Sequence, residues 1–179
     1  ALKAYYHEAT NKGFYGGSNG RDGWKDYFTK GYIPYGDNHE SSAKTLEYAY
    51  DDFCAYQLAK LTGNKFYEEI FARQMFNYKN VFDEKVNFVR GRLPNGEWMP
   101  NFDPVEWGGA FTEANSWQYT WSVMHDINGL IKLIGDENKF NAKLDSFFTM
   151  PQDIKYGSYK QEIHEMKEML LAKMGQYAH

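Results

Sequence analysis

Residues 41–81 leave little choice of local arrangement, because two helical patterns are separated there by a turn too short for anything but an antiparallel hairpin. Ser41 or Ser42 can cap the first helix, and Ala43, Leu46, Tyr50, Phe53, Cys54, Gln57, Leu58 and Leu61 then recur at mostly helical spacing. Gly63 supplies the stop. Asn64 opens the second helix, with Phe66, Ile70, Gln74, Asn77, Tyr78 and Val81 along one stripe. The same motif recurs downstream. Thr112 can cap a helix whose face carries Trp117, Trp121, Met124, Asn128 and Ile131, and Gly135 ends it. A shorter helix over 138–148 points Phe140, Leu144 and Phe147 inward and closes at Pro151. Residues 1–10 read as the end of an earlier helix, and 160–174 as a last one with Ile163, Met166, Met169, Leu170 and Met174 apolar.

The fold class is therefore all-α. Repeated hairpins with long loops fit part of an α/α toroid, and a helical bundle or solenoid fits the same pattern. No residue pattern of fixed period marks a sequence repeat. The glycines at 13, 16, 17, 20 and 23 make a polar turn region. Tyr32 to Gly36 is extended, since the residue before Pro34 avoids the helical region.

Residues 82–112 break the helical pattern. Gly91, Pro94, Gly96, Pro100, Pro104, Gly108 and Gly109 forbid a long helix, and Phe88, Trp98, Phe102, Trp107 and Phe111 are interleaved with them. A long loop inside a compact helical protein is costly to order and is usually functional or disordered. This one is too aromatic for disorder. Aromatics make up 18% of the chain, and Tyr and Trp combine a flat apolar face with a polar handle. That mixture suits a core packed with rings, and it also suits the mixed surface of a sugar.

Several function classes are excluded. A net charge of −4 with interspersed signs gives no basic stripe for nucleic acid. No apolar run is long enough to span a membrane. One cysteine, Cys54, rules out an intrachain disulfide and a thiolate metal site, and its helical setting reads as a small core residue. His-Glu at 7–8, 39–40 and 164–165 never continues to the zinc-protease motif. The first residues lack the leader, apolar stretch and cleavage site of a signal peptide, and both ends are expected to be cuts from a longer chain.

The positive candidate is Glu113, in Phe111-Thr112-Glu113-Ala114-Asn115-Ser116-Trp117-Gln118-Tyr119-Thr120-Trp121. Glycosidic cleavage needs one carboxylic acid to protonate the leaving oxygen and a second carboxylate as base or nucleophile. Aromatic walls could keep the acid protonated by desolvation. A glutamate in a first helical turn also stabilises the positive end of the helix dipole, and position alone leaves that bland role open. Glu47 and Asp51, four apart on one face, repel each other slightly. They mark a site, a solvated acidic face, or a nearby cation such as Arg73 or Arg90. Arg90-Gly91-Arg92 fits either anion recognition or loop anchoring.

At these residues the chain resembles the calcium-dependent α-mannosidases of glycoside hydrolase family ninety-two. The matching stretches are Lys44 to Phe53, Asn77 to Asp83, Phe102-Asp103-Pro104, Phe111 to Trp121, His125-Asp126, Lys143 to Phe148 and Gly175 to His179. The match runs from about Tyr27 to the end. The resemblance implies an (α/α)6 toroidal catalytic domain that removes terminal α-mannose from glycans with inversion. Residues 1–179 would be one internal segment of it, cut at both ends. Glu113 corresponds to the general acid, and Trp98, Trp117 and His179 are the expected substrate contacts. The family's Gly-Asn-Glu-Pro and Asp-rich segments, which supply calcium ligands and base carboxylates, do not occur here. Calcium would therefore be held mostly from outside the segment, no metal ligand is assigned within it, and the segment alone would be inactive. The resemblance also implies an exported protein. Two other readings stay open. One is a non-catalytic carbohydrate-binding or scaffolding helical module. The other is a different toroid enzyme, such as a lyase using Tyr119 and His125.

Overall fold

The computed structural model describes residues 2, 3, 21–36 and 38–149. The readings for 1–10, the glycines up to Gly20, Pro151, the helix over 160–174 and His179 lie outside them. Helix α1 spans Trp24–Lys30, α2 Ser41–Leu61 and α3 Lys65–Gln74, followed by a 3-10 turn at Asn77–Val81. A small antiparallel pair, β1 (Phe82–Asp83) and β2 (Phe88–Val89), comes next, with Phe82 opposite Val89 and Asp83 opposite Phe88. The chain then passes through the aromatic loop to α4 (Ser116–Tyr119), α5 (Ile127–Ile134) and α6 (Glu137–Thr149).

The expected hairpin of α2 and α3 forms. The inward face of α2 is made of small groups, with Ser42, Thr45, Ala49, Ala55 and Ala59 buried beside Leu46. Small residues let a neighbouring helix approach closely. Phe71 of α3 fills the space against Ala55, Ala59 and Leu2. Gly63 has φ +67, which suits a residue without Cβ, and the Asn64 side chain caps α3 by accepting from the Tyr67 N–H at 3.3 Å. Cys54 is exposed, as are Leu58 and Leu61, so the apolar stripe read from α2 is not its core face.

Three helix boundaries differ from the periodic reading. Helix α3 ends at Gln74 and does not run to Val81. The chain tightens there so that Tyr78 and Val81 enter the core, with the Tyr78 hydroxyl donating to Asp126 at 2.7 Å. The helix expected over 112–135 is two helices. Ser116 and Thr120 are tied sideways to β2, since the Ser116 hydroxyl donates to the Val89 carbonyl and Thr120 Oγ1 accepts from the Val89 N–H at 3.1 Å. A straight helix could not meet those bonds and also bury Val123, so the chain turns and restarts at Asp126, whose carboxylate caps α5 through the Gly129 N–H. Helix α1 was not anticipated. It is short, bounded by Gly23 and Gly31, both at positive φ, and held by the buried Tyr27.

The caps also differ. Glu40, not a serine, occupies the N-cap of α2, and the Ser42 hydroxyl instead donates to the Arg90 carbonyl at 3.2 Å. Asn115, not Thr112, caps α4, in a reciprocal box with Gln118. The main core gathers Tyr32, Leu46, Ala49, Tyr78, Val81, Phe82, Val89, Phe111, Val123, Leu130 and Ile134, and it pins the aromatic loop against α2.

Candidate active site

Glu113 lies two residues before the α4 cap, outside the helix. Its backbone sits at φ +46, in the left-handed region that costs a side-chain-bearing residue about 1–2 kcal/mol. Neighbours fix the conformation. The Gly108 N–H donates to the Ala114 carbonyl at 2.8 Å, Phe111 and Ala114 are buried, and the Asn115 cap follows at once. Glu113 itself is exposed. A role as first-turn partner of a helix dipole therefore does not describe it.

Glu113 opens onto a cleft of about 960 Å³. Leu46, Glu47, Tyr50 and Asp51 of α2 form one side, and Thr112, Ala114, Tyr119, Trp121 and Met124 are among the residues of the other. Three carboxylates and three aromatic rings thus share one concavity. The sequence separates Glu47 and Glu113 widely; the pinning of the loop on α2, with the Ser42 and Ala43 N–H groups donating to the Ala110 carbonyl at 3.0 and 3.1 Å, brings them together.

Burial raises the Glu47 carboxyl above its ordinary range, and the charges of Asp51 and Glu40 add to this against Lys44. Burial also raises Asp51, with Arg21 opposing. Both residues remain exposed at their surface, so the desolvation is partial. Burial raises the Tyr119 phenol, helped by the Glu47 and Glu40 charges and opposed by hydrogen bonding to Thr112. The cation beside the acidic run is Arg21, not Arg73 or Arg90: it meets Asp52 at 2.8 Å and Asp51 at 4.0 Å. Its guanidinium lies over the Tyr48 ring at 4.8 Å. Asp52 is fully buried and accepts from the Tyr27 hydroxyl at 2.7 Å, and burial pushes its carboxyl up to about 6. Asp52 therefore anchors Arg21 and α1 to the back of α2, while Glu47 and Asp51 face the cleft.

Other candidates lie elsewhere. Trp98 packs with Arg92, whose guanidinium sits 5.1 Å from both the Trp98 and Tyr32 rings. Trp117 packs on Phe88, Phe147 and the Lys143 ammonium. Neither lines this cleft. Arg90 and Arg92 anchor the loop, through Asp83 and Met99 for the first and through Gly96 and Asn80 for the second. The elimination pair is not assembled, since Tyr119 lines the cleft and His125 does not. Tyr50, placed by the sequence in the helical pattern of α2, is a cleft wall. Its place on the helix between Glu47 and Asp51 was the signal available. Among the described residues no three His, Cys, Asp or Glu side chains come together to hold a metal ion. No described helix is long and apolar enough to cross a membrane.

The glycosyl hydrolase family 92 catalytic domain matches residues 1–179. Among solved structures the chain is similar to a family GH92 inverting mannosidase from Bacteroides thetaiotaomicron VPI-5482, with 41% identity and a TM-score of 0.80 over 99% of this chain and 24% of that one. It is similar also to a family GH92 alpha-mannosidase from Bacteroides thetaiotaomicron in complex with mannoimidazole, with 34% identity and a TM-score of 0.75 over 86% of this chain and 20% of that one. A curated relative, an uncharacterized secreted glycosidase of Arthroderma benhamiae, is 30% identical in an alignment 157 residues long that covers 70% of this chain and 20% of that protein. The chain thus spans no more than 24% of the length of any of these three relatives.

Proposed function

The chain belongs to glycosyl hydrolase family 92, and from that premise we propose that it is the acid-bearing segment of an exported, inverting exo-α-mannosidase acting on mannose-containing glycans. The observation that supports this reading is Glu113 itself. An exposed glutamate is held at φ +46 on a rigid loop, facing a cleft walled by Tyr50, Tyr119 and Trp121. Such strain persists only where the surrounding structure over-determines it, and it clusters at active sites and ligand clamps.

In this reading the Glu113 carboxylic acid donates its proton to the oxygen that leaves with the rest of the glycan. A base carboxylate from outside this segment removes a proton from water on the opposite face of the sugar. An inverting pair stands roughly 6.5–9.5 Å apart, which leaves room for that water. The rings offer flat faces to the sugar. The mannosidases among the solved relatives, one with mannoimidazole bound, support mannose as the sugar. The secreted fungal relative supports export. Calcium is expected from the family, but the described residues do not form a metal site, so no step is assigned to it. The helical hairpins support the toroid as the architecture of the whole domain.

Two measurements on the parent enzyme test this. Proton NMR of mannobiose hydrolysis should show β-mannose as the first product, and first-formed α-mannose would rule out inversion. Glu113→Gln should lower kcat/KM for mannobiose by about 10²–10⁴. Undiminished turnover of mannobiose would assign the acid to another group.

A further inference from the structure

His125 is part of a matched motif that the acid mechanism does not use, and it sits directly behind the cleft. Its ring lies 5.9 Å from that of Tyr50, 5.6 Å from Phe53 and 5.5 Å from Tyr78, the last at 90°. Its Nε2 is 2.8 Å from the Met75 carbonyl oxygen. A carbonyl only accepts, so Nε2 carries the proton and Nδ1 holds the lone pair. Nδ1 is buried with no partner. A partnerless buried nitrogen is unfavourable, and an apolar ring of similar shape would avoid it. The imidazole is therefore justified by combining a flat ring with an N–H that ties the end of α3 to the cleft rim.

The next residue fixes that ring in place. Asp126 caps α5 through Gly129 at 3.0 Å and accepts from the Tyr78 hydroxyl at 2.7 Å. Met124, just before His125, stands 69% exposed in the cleft lining. Tyr50 is 40% exposed on the same lining, between Glu47 and Asp51. An exposed tyrosine on a helix normally samples more than one rotamer. A ring packed behind it selects one, which lowers the entropy cost of stacking a ligand on its face.

We infer that His125 is a positioning residue that holds the Tyr50 ring as a sugar-contacting wall of the cleft. This rests on the mannosidase reading, with α-linked mannobiose as the ligand. The test is calorimetric binding of mannobiose to the parent enzyme carrying Glu113→Gln, which does not turn it over under that reading. Tyr50→Ala and His125→Ala each weaken binding roughly threefold to tenfold, the range of one aromatic contact. The double variant binds no more weakly than Tyr50→Ala, because His125 acts through Tyr50. His125→Phe restores the ring behind Tyr50 and recovers affinity to within about twofold of the reference.

Multiplying losses in the double variant would overturn the inference, and so would unchanged affinity in Tyr50→Ala. The second arm stands even if His125→Ala fails to fold, because Tyr50 is at the surface. A misassigned acid would show as hydrolysis of mannobiose by Glu113→Gln, with the order of affinities unaltered. A reference protein that binds no mannobiose would remove the mannosidase reading and this inference together.

Discussion

Replacing Glu113 by glycine separates chemistry from folding more sharply than any other single change. Three terms set its effect on stability. The left-handed backbone at φ +46 costs a residue with a Cβ about 1–2 kcal/mol, and glycine removes that cost. Glycine gives back roughly 0.5–1 kcal/mol through the greater freedom of its unfolded chain. The exposed glutamate side chain has an interaction to lose, and surface interactions are worth about 0–1 kcal/mol. The sum runs from a loss of about 1 kcal/mol to a gain of about 1.5 kcal/mol. Glu113→Ala keeps the strain and loses the same side chain, so it should melt below Glu113→Gly. Hydrolysis of mannobiose should fall in both by about 10²–10⁴, the worth of a general acid. Thermal denaturation of the parent enzyme, with turnover normalised to folded protein, gives both numbers. A glycine variant that loses more than about 3 kcal/mol while each folded molecule keeps its activity would make Glu113 a structural residue and refute the reasoning.

Other sites respond differently. Asn115→Ala deletes the α4 cap and should cost about 0.5–2 kcal/mol in chemical denaturation, with activity falling because Glu113 lies two residues away. Gly31→Ala should cost at least about 1–2 kcal/mol, since φ is +78 and a Cβ would stand 2.5 Å from Asn80 Nδ2; a neutral result would mean that the Asn80 side chain moves freely. Burial lowers the His125 pKa below its ordinary value, with the Met75 carbonyl and the Asp126 carboxylate opposing. The stability gained by keeping it neutral is present above about pH 6.5 and is lost as pH falls through the lower folded value. The Tyr50 and Tyr78 phenols face it, and Lys79 stands 3.9 Å from Asp126. Melting curves should therefore fall more steeply below pH 6.5 in the parent than in His125→Phe, and parallel curves would remove His125 as the cause.

The helical hairpin was legible because its signals are local: a stop at Gly63, a cap at Asn64 and an apolar pattern between breakers. Glu113 was legible as a carboxylate among rings. What local signals could not carry was set at a distance. The break after α4 depends on Ser116 and Thr120 reaching β2, a partner remote in sequence. The end of α3 depends on Tyr78 meeting Asp126. Periodicity placed Tyr50 in the helical pattern of α2, but a cleft wall and a core position share the same spacing; only the placement of the loop on α2 distinguishes them. Cys54 was misplaced for a related reason, since the true inward face of α2 is lined with Ser, Thr and Ala, which carry little hydrophobic signal. Trp98 and Trp117, which the resemblance implies as substrate contacts, pack on Arg92 and on Phe88 with Lys143 and stand outside the lining of this cleft.

The proton donor is tested most directly by leaving-group dependence in Glu113→Gln of the parent enzyme. A dinitrophenyl α-mannoside departs without a proton, whereas the sugar of mannobiose needs one. The kcat/KM for mannobiose should fall by about 10²–10⁴ while that for the activated aryl mannoside changes far less. Equal losses on both substrates would contradict the assignment of Glu113 as the acid.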